Sequence, residues 1–366
     1  MSCFAVTKHI IPASYIRENK RGTLRGFVNV PQLQLAVNQY TPKRDPGGVQ
    51  LGDVSIICCH ANGFHKELYE PYFDDLNAEL EANGMRIHTI FAIDAAHQGE
   101  SGVLNEALLG DYPSWHDYAR DILQVVNHFA AHLTPPIIGI GHSFGGHAIV
   151  RASIMHPSLF SGIVLLDPVV QARKYGNPGH YPAIASAKRR DTWPSLQEAT
   201  KFFESRAFYK AWDPRVLRVH LQYGLRDTGK GDGSVTLTTT KYQEVFTFLD
   251  CTTETGVPGA RWEPEETFYL LHMVKTPLLW CIGENSPFTN DDLNQAKLEK
   301  VRGSELVVVA DAGHLVAQEK PKGCAEYSAK FLSKVVKQWK VEAEEDAGIP
   351  RQRVFRPEVV AGFAKL

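Results

Sequence analysis

Gly141-His142-Ser143-Phe144-Gly145 follows the apolar run Ile137 to Ile140 and leads into a helix-like stretch from Phe144 to Met155 that stops before Pro157. Gly-x-Ser-x-Gly between a strand and a helix is the layout of a nucleophile elbow, a strained turn that presents one serine at its tip. The glycines are needed because so tight a turn leaves little room for Cβ atoms beside the nucleophile. The five-residue pattern alone could be a plain Gly-Ser turn, and its setting gives it weight. A serine hydroxyl attacks an acyl carbon only with a neighbouring base, itself oriented by an acid. Where an elbow carries the serine, those partners follow in the order nucleophile, acid, base.

His314, in Val309-Ala310-Asp311-Ala312-Gly313-His314, is the candidate base. Most of the 15 histidines must serve packing or surface roles, but this one follows the last strand-like run, where a loop can fold over the elbow. Three carboxylates compete for the acid. Asp167, in Leu165-Leu166-Asp167-Pro168, is favoured because it ends the strand expected beside the elbow. Glu284 and Asp311 are the alternatives, and Asp167 could instead cap the next helix. The loop that more often carries this acid holds Ser286 before Pro287, and a hydroxyl cannot form an ionic pair with histidine. Donors for a developing oxyanion are expected from the Phe144 and Phe64 N–H groups, the latter in His60-Ala61-Asn62-Gly63-Phe64. His60 reads either as a brace for that loop or as a core histidine. Asp94 to Ser101 carries histidines and carboxylates without ligand spacing and reads as a structural turn.

The elements that would hold these residues alternate. Strands are expected over 53–59, 86–93, 136–140, 162–166, 277–282 and 305–310, with edge strands around Ile10-Ile11 and Leu33 to Gln39. Helices are expected over 67–83, from the Ser114 capping box, over 144–155 and over 322–340, the last with Tyr327, Phe331, Val335 and Trp339 inward. Such alternation implies a mostly parallel sheet with helices on both faces. It breaks between Asp167 and Thr276, where 195–212, 215–223 and 264–274 read as helical and 227–234 as a loop. A structureless connection of that length is rare in compact domains, so a helical lid is expected there. Phe202, Phe203, Phe208 and Leu271 are candidates for its apolar acyl pocket. Lys188-Arg189-Arg190, with Arg173 and Lys174, makes it locally basic. A solvated face is the favoured account of that charge, and a surface for the phosphates of a coenzyme A ester is the other.

Across 366 residues the formal net charge is −2, which gives no general attraction to nucleic acid, and no zinc-finger or RNA-binding signature is present. Cys58, Cys59 and Cys281 lie in apolar runs and read as reduced core residues. No signal-peptide pattern opens the chain, and no apolar run is long enough to span a bilayer. The chain ends Ala364-Lys365-Leu366, a close variant of the Ser-Lys-Leu address read by the peroxisomal import receptor. That reading needs an extended tail, and Pro350 and Pro357 suit one. A chance terminus is the alternative.

With elbow, acid and base assembled, the chain resembles the α/β-hydrolase superfamily. His60-Ala61-Asn62-Gly63-Phe64-His65-Lys66-Glu67-Leu68-Tyr69-Glu70-Pro71, together with the terminal Ala-Lys-Leu, resembles more narrowly a group of fungal peroxisomal hydrolases. That group includes enzymes of toxin and mycophenolic acid biosynthesis and the yeast peroxisomal lipase. The resemblance implies an α/β-hydrolase fold, with a mostly parallel twisted sheet and a helical lid inserted after the sixth strand. With the break in alternation, the chain is expected to divide into a first core part (1–168), a lid (169–274), a second core part (275–342) and a tail (343–366). It implies Ser143 as nucleophile, Asp167 as a displaced acid and His314 as base. The expected activity is hydrolysis of an acyl thioester or ester in the peroxisomal matrix. The substrate expected first is an acyl-CoA with a fatty or polyketide-derived acyl group, with no cofactor and no metal. A lipase or carboxylesterase, an acyltransferase and a non-catalytic ligand-binding protein are the alternatives, and a homodimer is one assembly open to it.

Overall fold

The computed structural model describes residues 2–24, 30–43, 48–176, 179–250, 259–349 and 357–365. Leu366, and residues 350–356 of the expected tail, lie outside them. Eight strands form the main sheet: β1 (Phe4–Pro12), β2 (Gln34–Pro42), β3 (Val54–Cys59), β4 (Ile87–Ile93), β5 (Ile137–His142), β6 (Gly162–Leu166), β7 (Leu278–Gly283) and β8 (Glu305–Val309). Their order is β1-β2-β4-β3-β5-β6-β7-β8. β2 is antiparallel to both neighbours, and from β4 to β8 every pairing is parallel.

Side-chain alternation explains why the central strands read as unbroken apolar runs. Ile56, Cys58, Ile138, Ile140, Val164, Leu166, Leu279 and Cys281 point to one face, under the helices Glu70–Ala82 and Pro321–Ala347. Ile57, Cys59, Ile163, Leu165, Leu278, Trp280 and Ile282 point to the other, under Trp115–His128 and Phe144–Met155. A sheet covered on both faces needs apolar residues at every position. Its parallel strands all deliver their C-terminal ends to one edge, where the loops carrying Ser143, Asp167 and His314 meet.

Four local expectations need correction. The last helix runs from Pro321 to Ala347, through the boundary expected at 343, and buries Cys324, Ala325, Ser328, Leu332 and Val336. Tyr327 faces outward, because the small residues let the helix lie close enough for the Tyr72 hydroxyl to donate to Ser328 Oγ at 2.9 Å. A second short helix, Pro357–Phe363, precedes Ala364, so the chain there is not extended. Residues 195–212 form two helices rather than one, Leu196–Ser205 and Ala207–Lys210, split at Arg206 in an extended conformation.

Two helices in the same region were not expected, His180–Lys188 and Lys241–Phe248. A three-stranded ribbon places Val235–Leu237 between Thr192–Trp193 and Leu225–Asp227. The segment between β6 and β7 is tied to the strand-end loops by buried hydrogen bonds. Trp115 Nε1 donates to Thr247 O at 2.7 Å, Gly99 N to Thr239 Oγ1 at 2.9 Å, and Asn62 Nδ2 to Glu244 O at 3.0 Å. Residues 239–247 therefore form a fixed roof over the edge of the sheet. The turn expected at Asp94 is a buried hub: its carboxylate accepts from the Lys66 backbone and ammonium at 2.8 Å and from Glu100 N at 2.9 Å. Among the described residues no helix is long and apolar enough to cross a membrane, and no group of three or more His, Cys, Asp or Glu could hold a metal ion.

Candidate active site

Strand β5 ends at His142, and the chain turns into the next helix through Ser143 at φ 53° and ψ −113°. A side chain rarely adopts that backbone, and the surroundings impose it. Ser143 N donates to Leu166 O at 3.0 Å, and Val169 N donates to Ser143 O at 3.2 Å. A Cβ on Gly141 would lie 2.5 Å from Gly145 O, and one on Gly145 would lie 2.3 Å from Cys59 O. Both glycines of the motif are thus required by close backbone approach.

The base loop reaches this tip. Ser143 Oγ and His314 Nε2 are 2.8 Å apart, and His314 Nδ1 is 2.9 Å from Asp167 Oδ1. A carboxylate only accepts, so Nδ1 carries the hydrogen and Nε2 is left to accept the hydrogen bond of the Ser143 hydroxyl. Asp167 is a product of the loop beyond β6, at φ 42°. Its Oδ2 accepts from Gly283 N at 2.8 Å and its Oδ1 also accepts from Ser286 Oγ at 2.8 Å. It caps no helix. Ser286, set aside on sequence grounds as unable to act as the acid, instead holds the acid in place. Its position before Pro287 in the usual acid loop was the available signal. Glu284 is turned away and accepts from Asp311 N at 2.8 Å, and Asp311, at φ 53°, is exposed. Neither hydrogen-bonds to the His314 ring, whose partners are Asp167 and Ser143.

A second hydrogen-bond chain, not anticipated from sequence, runs behind the first. Ala61 N donates to the Tyr69 hydroxyl at 2.9 Å, and that hydroxyl lies 2.8 Å from His142 Nδ1. His142 Nε2 donates to His314 O at 2.9 Å. His142 thus fixes the backbone of His314 and ties it to the loop after β3. Burial holds His142 down at about 3, and its neighbour His314 adds to the effect. The ring is neutral, so it does not oppose a positive charge forming on His314. His97 and His116 are also held at about 3, mainly by burial. An unfolded chain protonates its histidines from about pH 6.5 downward, so these three favour the fold fully above that value and progressively less toward 3. The unfolding temperature is expected to fall as pH drops from about 6.5 to 4. An unfolding temperature that stays level or increases as pH drops from about 6.5 to 4 would contradict the assignment.

On the loop after β3, His60 braces rather than ionises. Its Nδ1 donates to Ala61 O at 2.8 Å and its Nε2 accepts from Ala95 N at 3.0 Å, with burial lowering its proton affinity. The expected role of Phe64 meets an obstacle, because its N–H turns back onto Ala61 O at 3.3 Å. Asn62, whose N–H has no acceptor among the described residues, lines the same cavity as Ser143. Phe144 begins its helix, so its N–H has no intrahelical acceptor.

A cavity of about 670 Å³ opens on Ser143 and His314. Phe202, Phe208, Phe248 and Phe288 give it an aromatic wall, and Phe288 packs edge-on against His314 with ring centroids 4.4 Å apart. Two of the four residues expected to line it do not. Phe203 packs against Trp193, Tyr209 and His220, and Leu271 lies in the core under the sheet. Of the basic residues noted in sequence, Arg173, Lys188 and Arg189 line the cavity and are joined by Arg206 and Arg261.

Residues 56–327 match the profile described as the alpha/beta hydrolase family. The chain is 32% identical over 350 residues to a Penicillium roqueforti protein named type I acyl-CoA thioesterase mpaH, covering 83% of this chain and 78% of that one. It is 24% identical over 311 residues to the peroxisomal membrane protein LPX1 of Saccharomyces cerevisiae, covering 78% and 79%. The solved structure of the peroxisomal α/β-hydrolase Lpx1 from Saccharomyces cerevisiae matches with a TM-score of 0.78 at 20% identity, over 100% of this chain and 97% of the other.

Proposed function

The chain belongs to the alpha/beta hydrolase family, and on that premise we propose that it is a serine hydrolase of acyl thioesters or esters, with an acyl-CoA as its substrate. The observation that carries this is the unbroken run from Ser143 Oγ through His314 to Asp167, opening on an apolar cavity. The relatives named acyl-CoA thioesterases favour the thioester. Ser143 Oγ attacks the acyl carbon while His314 Nε2 takes its proton, and Asp167 stabilises the imidazolium. The tetrahedral oxyanion is received by the Phe144 N–H and, in place of Phe64, the Asn62 N–H. Collapse breaks the bond to sulfur, and the departing thiolate takes the proton from His314. Water, deprotonated by His314, then releases the acid from Ser143.

In this reading residues 169–274 act as a lid over a core made of 1–168 and 275–342. Its aromatic wall holds a fatty or polyketide-derived acyl group. Residence in the peroxisome is part of the same proposal, and the name of its yeast relative supports it. A turnover panel of acyl-CoA esters, p-nitrophenyl esters and triglycerides tests the assignment. Release of free CoA and free acid from at least one acyl-CoA, at a kcat/KM above that for the matched oxygen ester, is expected. Preference for triglycerides would move the assignment to a lipase. Acyl transfer to an added alcohol or amine in place of water would make the protein an acyltransferase, and no turnover of any substrate would favour a binding role.

A further inference from the structure

An acyl-CoA poses a problem that the aromatic cavity does not solve: its phosphates cannot enter an apolar chamber without losing their hydration. They must stay at the rim, where cations without carboxylate partners are needed. Five cations line the cavity, and three are already committed. Arg261 is buried against Glu263, Arg189 is paired with Glu244, and Arg173 lies 3.2 Å from Glu265. Arg190 and Lys174, the other basic residues noted in sequence, are not among the residues that line the cavity.

Two remain. Lys188, at the end of the helix His180–Lys188, has no carboxylate partner among the described residues. Arg206 occupies the break between two helices, and its guanidinium is held 4.5 Å from the Phe202 ring centre, which fixes its position without neutralising it. Both residues are exposed and both line the cavity that holds Ser143. Glu319 lines the same cavity and accepts from Gly313 N at 2.7 Å, which places negative charge beside the loop that carries His314.

We infer that Lys188 and Arg206 form an anion subsite for the phosphates of the coenzyme A portion of the substrate. The inference rests on the thioesterase reading of the site. A guanidinium braced on an aromatic ring offers paired N–H donors to a phosphate, and a lysine adds a mobile point charge.

The test compares one acyl group on two carriers, coenzyme A and N-acetylcysteamine, which presents the same thioester without phosphates. In the double variant Lys188→Ala/Arg206→Ala, KM for the acyl-CoA is expected to rise about tenfold at low salt, with kcat nearly unchanged. The N-acetylcysteamine thioester should show the same kinetics in both proteins, which also verifies that the variant is folded. An unchanged KM for acyl-CoA, or an equal loss on both carriers, would overturn the subsite. Calorimetric titration with free coenzyme A decides the question apart from turnover. Binding to the wild type that weakens in the variant supports the subsite, and equal affinities or no binding to the wild type refute it. If the wild type cleaves neither thioester yet binds coenzyme A more tightly than the variant does, the hydrolase reading fails and the subsite stands.

Discussion

Ser143→Ala is expected to lower turnover of the preferred acyl thioester by at least about a thousandfold while leaving the fold intact. The hydroxyl makes one side-chain contact, with His314 Nε2 at 2.8 Å, and its removal leaves the backbone bonds of the elbow in place. His314 stays anchored from the other side by Asp167 and through its carbonyl by His142. Neither the circular dichroism spectrum nor the thermal midpoint should change beyond a few degrees. Steady-state kinetics on the substrate chosen by the turnover panel provides the measurement. A variant retaining near-normal kcat/KM would mean that the chemistry does not pass through this serine.

The second large effect is expected at Asp167, and here the loss comes from a tautomer. In Asp167→Asn the amide oxygen would accept from Gly283 N, as Oδ2 does at 2.8 Å, and the amide nitrogen would then face His314 Nδ1. Two donors cannot share that contact, so the ring would move its hydrogen to Nε2 and lose the lone pair that accepts the serine proton. The reverse amide orientation would oppose a donor to Gly283 N–H. A drop in kcat of about a thousandfold to ten-thousandfold is expected. Two neighbours serve as internal controls. Ser286→Ala removes one of the hydrogen bonds to Asp167 and should cost about tenfold or less, because the carboxylate keeps its ionic partner. Glu284→Gln should stay within about threefold, since its carboxylate faces Asp311 N and not the imidazole. A collapse of activity in the Glu284 variant, with Asp167→Asn active, would reassign the acid.

How far these contacts could be read from sequence depends on their range. The elbow was legible because it is local: Gly141, Ser143 and Gly145 lie within five residues, and the flanking apolar run and helix are equally local. The parallel sheet followed from strand runs too apolar for a half-exposed strand, and the C-terminal ends of such strands share one edge. That shared edge made Asp167 and His314 candidates although 147 residues separate them. What escaped was set by tertiary contact. The helix Lys241–Phe248 is rich in aromatic and β-branched residues, and its place over the sheet is set by bonds such as Asn62 Nδ2 to Glu244 O. The inward face of the last helix was misread at Tyr327, because small residues, not large ones, make its close contact. The role of His142 depends on a backbone carbonyl 172 residues away, and the recruitment of the Phe64 N–H by Ala61 O depends on a loop turn that composition does not specify.

Covalent capture tests the central claim most directly. The purified protein is exposed to a fluorophosphonate, digested, and mapped by mass spectrometry, alongside Asp167→Asn and His314→Ala variants shown to be folded. A single adduct on Ser143, formed rapidly in the wild type and at least about a hundredfold more slowly in both variants, is the predicted result. A folded wild-type protein that stays unmodified, or that is labelled at a residue other than Ser143, would contradict it.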